Sequence, residues 1–226
     1  ADTTKLNVLL YNASKIADPQ ERIAVVGREF IGTPYVAGTL EGTPEELKVN
    51  LDQLDCTTFV ETVLTIAYTA GEHRTSWRDY VYNLEKIRYR NGTLNGYASR
   101  LHYFSDWVVD NIHRGNIKEH TNRMPAIDWA VKTLDFMSSN RDKYPAMKDS
   151  AEFERIKNYE IGYRNHRYPY IKASKLSNKT TIAALKEGDI VALTTKTPGL
   201  DVSHMGIIIK KDDIPYLMHA SSKKGC

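Results

Sequence analysis

DCTTFVETVLTIAYTAGE, residues 55–72, is the stretch on which the reading of the fold turns. Phe59, Val60, Val63, Leu64, Ile66 and Ala67 recur at helical spacing, and so many apolar faces predict a helix buried on most sides. Asp55 stands at the cap position and Gly71 at the stop. Cys56 therefore falls on the first turn of this helix. There the unpaired backbone N–H groups are expected to lower a thiol's pKa and to be able to hold an oxyanion. A buried structural thiol is the simpler account from composition alone.

Working outward, residues 19–31 place Ile23, Val26, Phe30 and Ile31 at helical spacing behind Asp18 and Pro19, and Gly32-Thr33-Pro34 ends that helix. Residues 35–54 read as a long irregular loop. Downstream, 76–90, 104–114 and 145–160 read as helices, with an Asn/Gly-rich loop at 91–96. The end of the chain changes character. Residues 189–193, 205–209 and 216–218 are short β-branched or apolar runs bounded by Gly188, Asp212-Asp213 and Pro215, which predicts strands. Helices first and strands last is an α+β arrangement.

The 226 residues are 41% hydrophobic, enough for one core. The 31 basic and 28 acidic residues leave a net charge of +3 with no basic stripe, which argues against a nucleic-acid partner. The densest basic spot, Arg164, His166 and Arg167 among Tyr163, Tyr168 and Tyr170, reads as a solvated loop. Nothing resembles a transmembrane run. The opening Ala1-Asp2-Thr3-Thr4 lacks an initiator Met, and the expectation is an exported chain whose leader or tag has been removed. The sheet would end on an open edge at Cys226, so further C-terminal strands are expected to follow. With two cysteines, neither at a metal-ligand spacing, no disulfide framework or metal site is expected.

A thiol nucleophile needs a base, and the base needs an orienting partner. Of seven histidines, His204 opens one apolar strand and His219 closes the next, with Asp212-Asp213 as the turn between them. In a hairpin the two would be neighbours. Two unrelated strand-end histidines fit the same pattern.

The residues also resemble a known family. Asp55-Cys56-Thr57-Thr58-Phe59-Val60 resembles the Asp-Cys-Ser-Gly-Phe-Val nucleophile motif of the NlpC-type, papain-like cell-wall cysteine peptidases. Gly188-Asp189-Ile190-Val191 is similar to their Gly-Asp-Leu-Val strand. Ser203-His204-Met205-Gly206-Ile207 is similar to their His-Val-Gly-Ile motif, and Met218-His219-Ala220-Ser221 to Ile-His-Ala-Ser. Gly32-Thr33-Pro34-Tyr35 resembles their Gly-x-Pro-Tyr turn. The pieces occur in the family's order. The longer run from Thr39-Leu40-Glu41 to Glu61 looks like the N-acetylmuramoyl-L-alanine amidase-like branch.

The resemblance implies Cys56 as nucleophile, His204 as base, His219 as its orienter and Tyr35 beside the thiol. Asp55 and Ser203 are expected around substrate, as are Arg100 and His102 from the stretch RLHYFSDW. It implies a single catalytic domain over 1–226, with a papain-like core at 19–71 and 176–226 and a mainly helical insertion at about 72–175. In that insertion Tyr97, Tyr103 and Trp107 can stack on sugar faces or simply form core. The implied activity is cleavage between muramic acid lactyl and L-Ala in peptidoglycan fragments, small anhydro-muropeptides, in the periplasm, with no cofactor. An endopeptidase cutting between D-Glu and the diamino acid would use the same triad, and a silent wall-binding module is the reading of another class. Nothing in the chain reports an oligomeric state.

Overall fold

Caps and breakers divide the chain into elements close to the expected ones. The computed structural model describes residues 3–226; Ala1 and Asp2, on which the reading of a removed leader rests, lie outside them. The helices are α1 (Thr3–Ser14), α2 (Pro19–Arg28), α3 (Cys56–Gly71), α4 (Trp77–Arg88), α5 (Phe104–His113), α6 (Phe136–Ser139), α7 (Ser150–Ile161) and α8 (Lys179–Ala184). The strands are β1 (Ile127–Lys132), β2 (His166–Ile171), β3 (Ile190–Thr194), β4 (Val202–Lys211) and β5 (Ile214–Met218).

Helix α3 is the axis of the main core. Phe59, Val60, Val63, Ile66 and Ala70 pack with Leu6 and Leu10 of α1, Val26 of α2, Tyr80 and Leu84 of α4, and Met205 and Ile207 of β4. The other side of α3, through Leu64, meets Ile87, Leu101 and Trp107. Burial all round is what the nearly continuous apolar sequence requires. Helix α1 was not anticipated, although Leu6, Leu9, Leu10 and Ala13 are all buried at helical spacing.

A three-stranded antiparallel sheet in the order β3-β4-β5 closes the core from one side. β4 and β5 form a hairpin through Asp212 and Asp213, at φ 52° and 60°. Positive φ at both turn residues gives the backbone twist that matches paired strands.

Two expectations need correction. Strands are not confined to the end: β1 and β2 pair antiparallel, Ile127 with Ile171 through Lys132 with His166. The basic spot is thus partly strand, and the Arg167 guanidinium lies 4.4 Å from the Trp129 ring centroid rather than in a solvated loop. Tyr80 and Leu84 of α4 pack into the main core. A separate apolar cluster begins later, with Tyr97, Tyr103, Leu134, Met137, Met147 and Ile156.

Candidate active site

The start of α3 is held by a reciprocal cap. Asp55 Oδ1 accepts the Thr58 N–H at 2.8 Å, while Thr58 Oγ1 accepts the Asp55 N–H at 2.8 Å. This is the capping box with threonine at its third position, and it fixes Cys56, half-buried, as the first residue of the helix. Tyr35 is brought alongside by a short parallel bridge to Leu54, in which the Leu54 N–H donates to Pro34 O and the Val36 N–H to Leu54 O.

Burial pushes the Cys56 thiol up; the backbone of Met205 and the Thr57 hydroxyl pull it down, and the Asp55 carboxylate adds to the rise. The net direction is upward, opposite to the expectation from a helix start alone. Desolvation by burial is the largest cause and outweighs the pull of the helix start, with the neighbouring carboxylate adding to it. Burial, with Cys56 and Asp55 nearby, likewise raises Tyr35.

The two strand-end histidines meet. His204 Nε2 and His219 Nδ1 lie 2.7 Å apart, the rings edge to face at 89°. Continuing the register from the Ile207–Met218 pair puts His219 across from Gly206. A Cβ on Gly206 would stand 2.6 Å from the Met218 carbonyl and 3.0 Å from His219 Cβ, so the close approach requires glycine. Burial, then the neighbouring His219, lowers the His204 pKa and keeps its ring neutral at neutral pH.

Cys56 and His204 line one cleft, about 540 Å³ of space partly open to solvent. Ser203, His102 and Glu61 line it as well. Its far wall is apolar, with Leu101, Leu200 and the Phe104–Trp107 pair, whose centroids are 5.9 Å apart. Asp201 ties this wall to the histidine strand. One carboxylate oxygen accepts the Ser105 N–H at 2.6 Å in the first turn of α5, and the other accepts the Val202 N–H at 2.8 Å. Tyr103, at the cap position of α5, makes no side-chain cap, so Asp201 supplies it from across the chain.

His102 retains some exposure, yet surrounding protein and the nearby Arg100 charge hold its pKa well below the usual imidazole value. Its Nε2 donates to Tyr97 O at 3.0 Å, the only polarity a carbonyl partner allows. Arg100 does not join the cleft. Its guanidinium is buried in ion pairs with Glu41 at 2.7 Å and Glu45 at 3.3 Å, and it lines a second, smaller cavity with Arg90, Asp106 and Glu160. Glu61 and Asp201 are the charged cleft residues that sequence reasoning missed. Glu61 lay within the decisive stretch as a lone carboxylate on an apolar helix, which was its signal; Asp201 had none.

Among the described residues no cluster of three or more His, Cys, Asp or Glu is placed to hold a metal, and no helix is long and apolar enough to cross a membrane.

No curated protein sequence matches the chain. Solved structures do. A Bacteroides uniformis N-acetylmuramoyl-L-alanine amidase is 38% identical with a TM-score of 0.85, over 92% of this chain and 87% of that one. A Bacteroides fragilis protein, named provisionally as a xylanase, is 40% identical with a TM-score of 0.80, over 88% and 86%. A Legionella pneumophila protein at 23% identity and a TM-score of 0.75 shares the fold. The profile of the AmiA-like family, described as N-acetylmuramoyl-L-alanine amidase-like, matches residues 25–226. With that profile running over most of its length, and a 38% identical amidase superimposing on its fold, the chain belongs to the AmiA-like, N-acetylmuramoyl-L-alanine amidase-like family.

Proposed function

We propose that the chain is a cysteine amidase with a papain-like, NlpC-type core, hydrolysing the bond between muramic acid lactyl and L-Ala in small peptidoglycan fragments. The observation that carries this is the His204–His219 contact at 2.7 Å, with His204 on the same cleft as a thiol at a helix start. Because His219 occupies Nε2, the Nδ1 of His204 is the ring atom free for the thiol proton.

The resting pair is neutral thiol and neutral imidazole, since burial raises one pKa and lowers the other. As sulfur attacks the amide carbonyl, Nδ1 takes its proton and backbone N–H groups at the start of α3 hold the oxyanion. The imidazolium then gives that proton to the departing L-Ala nitrogen as the C–N bond breaks, leaving a thioester. Water attacks the thioester with His204 as base, releasing the muramic acid carboxyl and returning the thiol. His219 orients the ring and Asp55 caps the helix; neither moves a proton. Ser203 lines the cleft, and Tyr35 stands near Cys56.

The segment from Tyr97 to Ile171 carries its own apolar cluster and supplies the far wall through α5, which supports reading it as an insertion into a single catalytic domain. Anhydro-muropeptides fit a bounded cleft better than polymeric wall, and such a substrate implies an exported, periplasmic enzyme. A glycosidase, as the name of the B. fragilis protein suggests for that protein, needs two carboxyl groups free to exchange protons. Asp201 spends both oxygens on backbone N–H groups, which disfavours that chemistry here.

Rapid acid quench on a muropeptide, followed by intact mass, tests the proposal. A muramoyl-sized adduct on Cys56, absent in Cys56→Ala, is expected. An adduct the size of muramoyl-L-Ala-D-Glu assigns the endopeptidase reaction instead, and the absence of any adduct with turnover intact in Cys56→Ala refutes thiol catalysis.

A further inference from the structure

Glu61 lies five residues beyond Cys56 on α3, about 7.5 Å further along the helix axis. It is 2% exposed and forms a buried ion pair, its Oε2 accepting from Arg88 Nε at 2.7 Å. Arg88 is anchored in turn by donating Nη1 to the Lys48 carbonyl at 2.7 Å. The second carboxylate oxygen, Oε1, takes none of the side-chain hydrogen bonds found among the described residues and is not one of their enclosed unpartnered atoms, so it is open toward the cleft that this side chain lines with Cys56 and His204. Water can meet that oxygen while the cleft is open; a substrate that displaces the water has to supply a donor of its own or leave the carboxylate oxygen unpaired.

The surroundings define what can meet it. Among the described residues lining this cleft none is Lys or Arg, and the other carboxylate, Asp201, has both oxygens occupied. A carboxylate on the substrate would find like charge and no counter-ion, whereas a neutral N–H or O–H finds an acceptor already braced in place.

Resting on the function proposed above, we infer that Glu61 Oε1 is a specificity-determining acceptor: it takes a hydrogen bond from a neutral N–H or O–H of the substrate and turns away carboxylates. Arg88 is the positioning residue that aims it. The donor comes from the sugar–lactyl side of the scissile bond or from the peptide side.

The test uses Glu61→Gln, which keeps shape and the bond to Arg88 but presents an N–H to the cleft. With muramyl dipeptide as substrate, KM should rise about tenfold or more, the scale of one charge-assisted hydrogen bond, with kcat within about threefold. Alkylation of Cys56 by iodoacetamide, which reads the thiol alone, should not change. If the variant fails to fold, the double substitution Glu61→Gln/Arg88→Met removes both charges together and avoids a stranded buried cation. Calorimetry in a Cys56→Ala background then locates the donor. Loss of N-acetylmuramamide binding assigns it to the acyl side, and loss of L-Ala-D-isoglutamine binding to the amine side. Unchanged KM, or unchanged affinity for both fragments, overturns the inference. Failure of the wild type to cleave muramyl dipeptide would count against the proposed activity, while the fragment titrations would still decide the role of Glu61.

Discussion

The two walls of the cleft are built by different means. On one side, Cys56 and the His204–His219 pair are placed by neighbours in sequence: a capping box spanning residues 55–58 and a hairpin closed by Asp212-Asp213. On the other side, the Leu101–Trp107 wall is held by Asp201, which caps α5 at Ser105 from 96 positions away, and by packing on Leu64 and Ile87. The first wall is a local construction that presents reactive atoms. The second is a long-range construction that shapes the space in front of them. Damage to the first should therefore abolish turnover with little loss of stability, and damage to the second should change recognition and stability with the thiol intact.

The largest expected effect breaks the first wall outright. Cys56→Ala and His204→Ala should each cost about 10⁴-fold or more in kcat, with melting temperature nearly unchanged, since both side chains stand at the edge of the core. Loss of less than about tenfold in either would remove that residue from the chemistry.

His219→Ala sharpens the same wall through pH. In the proposed mechanism the base is neutral His204, so the acidic limb of the rate profile should fall as pH drops through a His204 pKa lowered by burial and by His219. That limb should lie below the ordinary imidazole value of about 6.5. Removing His219 takes away one of the two lowering causes, so the limb should move up toward that value, alongside an activity loss of about 10–100-fold. A limb that stays put or moves down contradicts the assigned contact.

Breaking the second wall should look different. Asp201→Ala removes the acceptor of the α5 cap and should raise KM several-fold while costing about 1–2 kcal/mol of stability by denaturant titration. Cys56 alkylation should be unaffected. The smallest effect belongs to the cap of α3 itself. Asp55→Ala should cost about 1 kcal/mol in unfolding free energy. It should also shift the pH of Cys56 alkylation downward, because one raising cause disappears.

The same division explains what was legible in the sequence. Asp55 before an apolar helix, Gly71 at its end and two histidines bracketing a turn are short-range signals, and each element stands where they put it. The β1–β2 pair was missed because His166–Ile171 mixes polar and aromatic residues and carries Pro169, which reads against a strand. Arg100 was expected at substrate because it precedes α5 on a polar stretch. Its partners, Glu41 and Glu45, lie more than fifty residues earlier in a segment that reads only as irregular loop. The thiol's direction of shift was also beyond local reading. Helix position and an acidic neighbour are both visible in sequence, but the burial that outweighs the helix start comes from the packing of Cys56 against the main core, which only the fold assembles.

The account rests most heavily on which bond the Cys56 thiol opens. Mass spectrometry of a muramoyl-tetrapeptide digested by the wild type and by Cys56→Ala tests it directly. Free muramic-acid sugar together with an intact tetrapeptide beginning at L-Ala, formed by the wild type alone, is the predicted result. A muramoyl-L-Ala-D-Glu fragment, or the same products from Cys56→Ala, would contradict it.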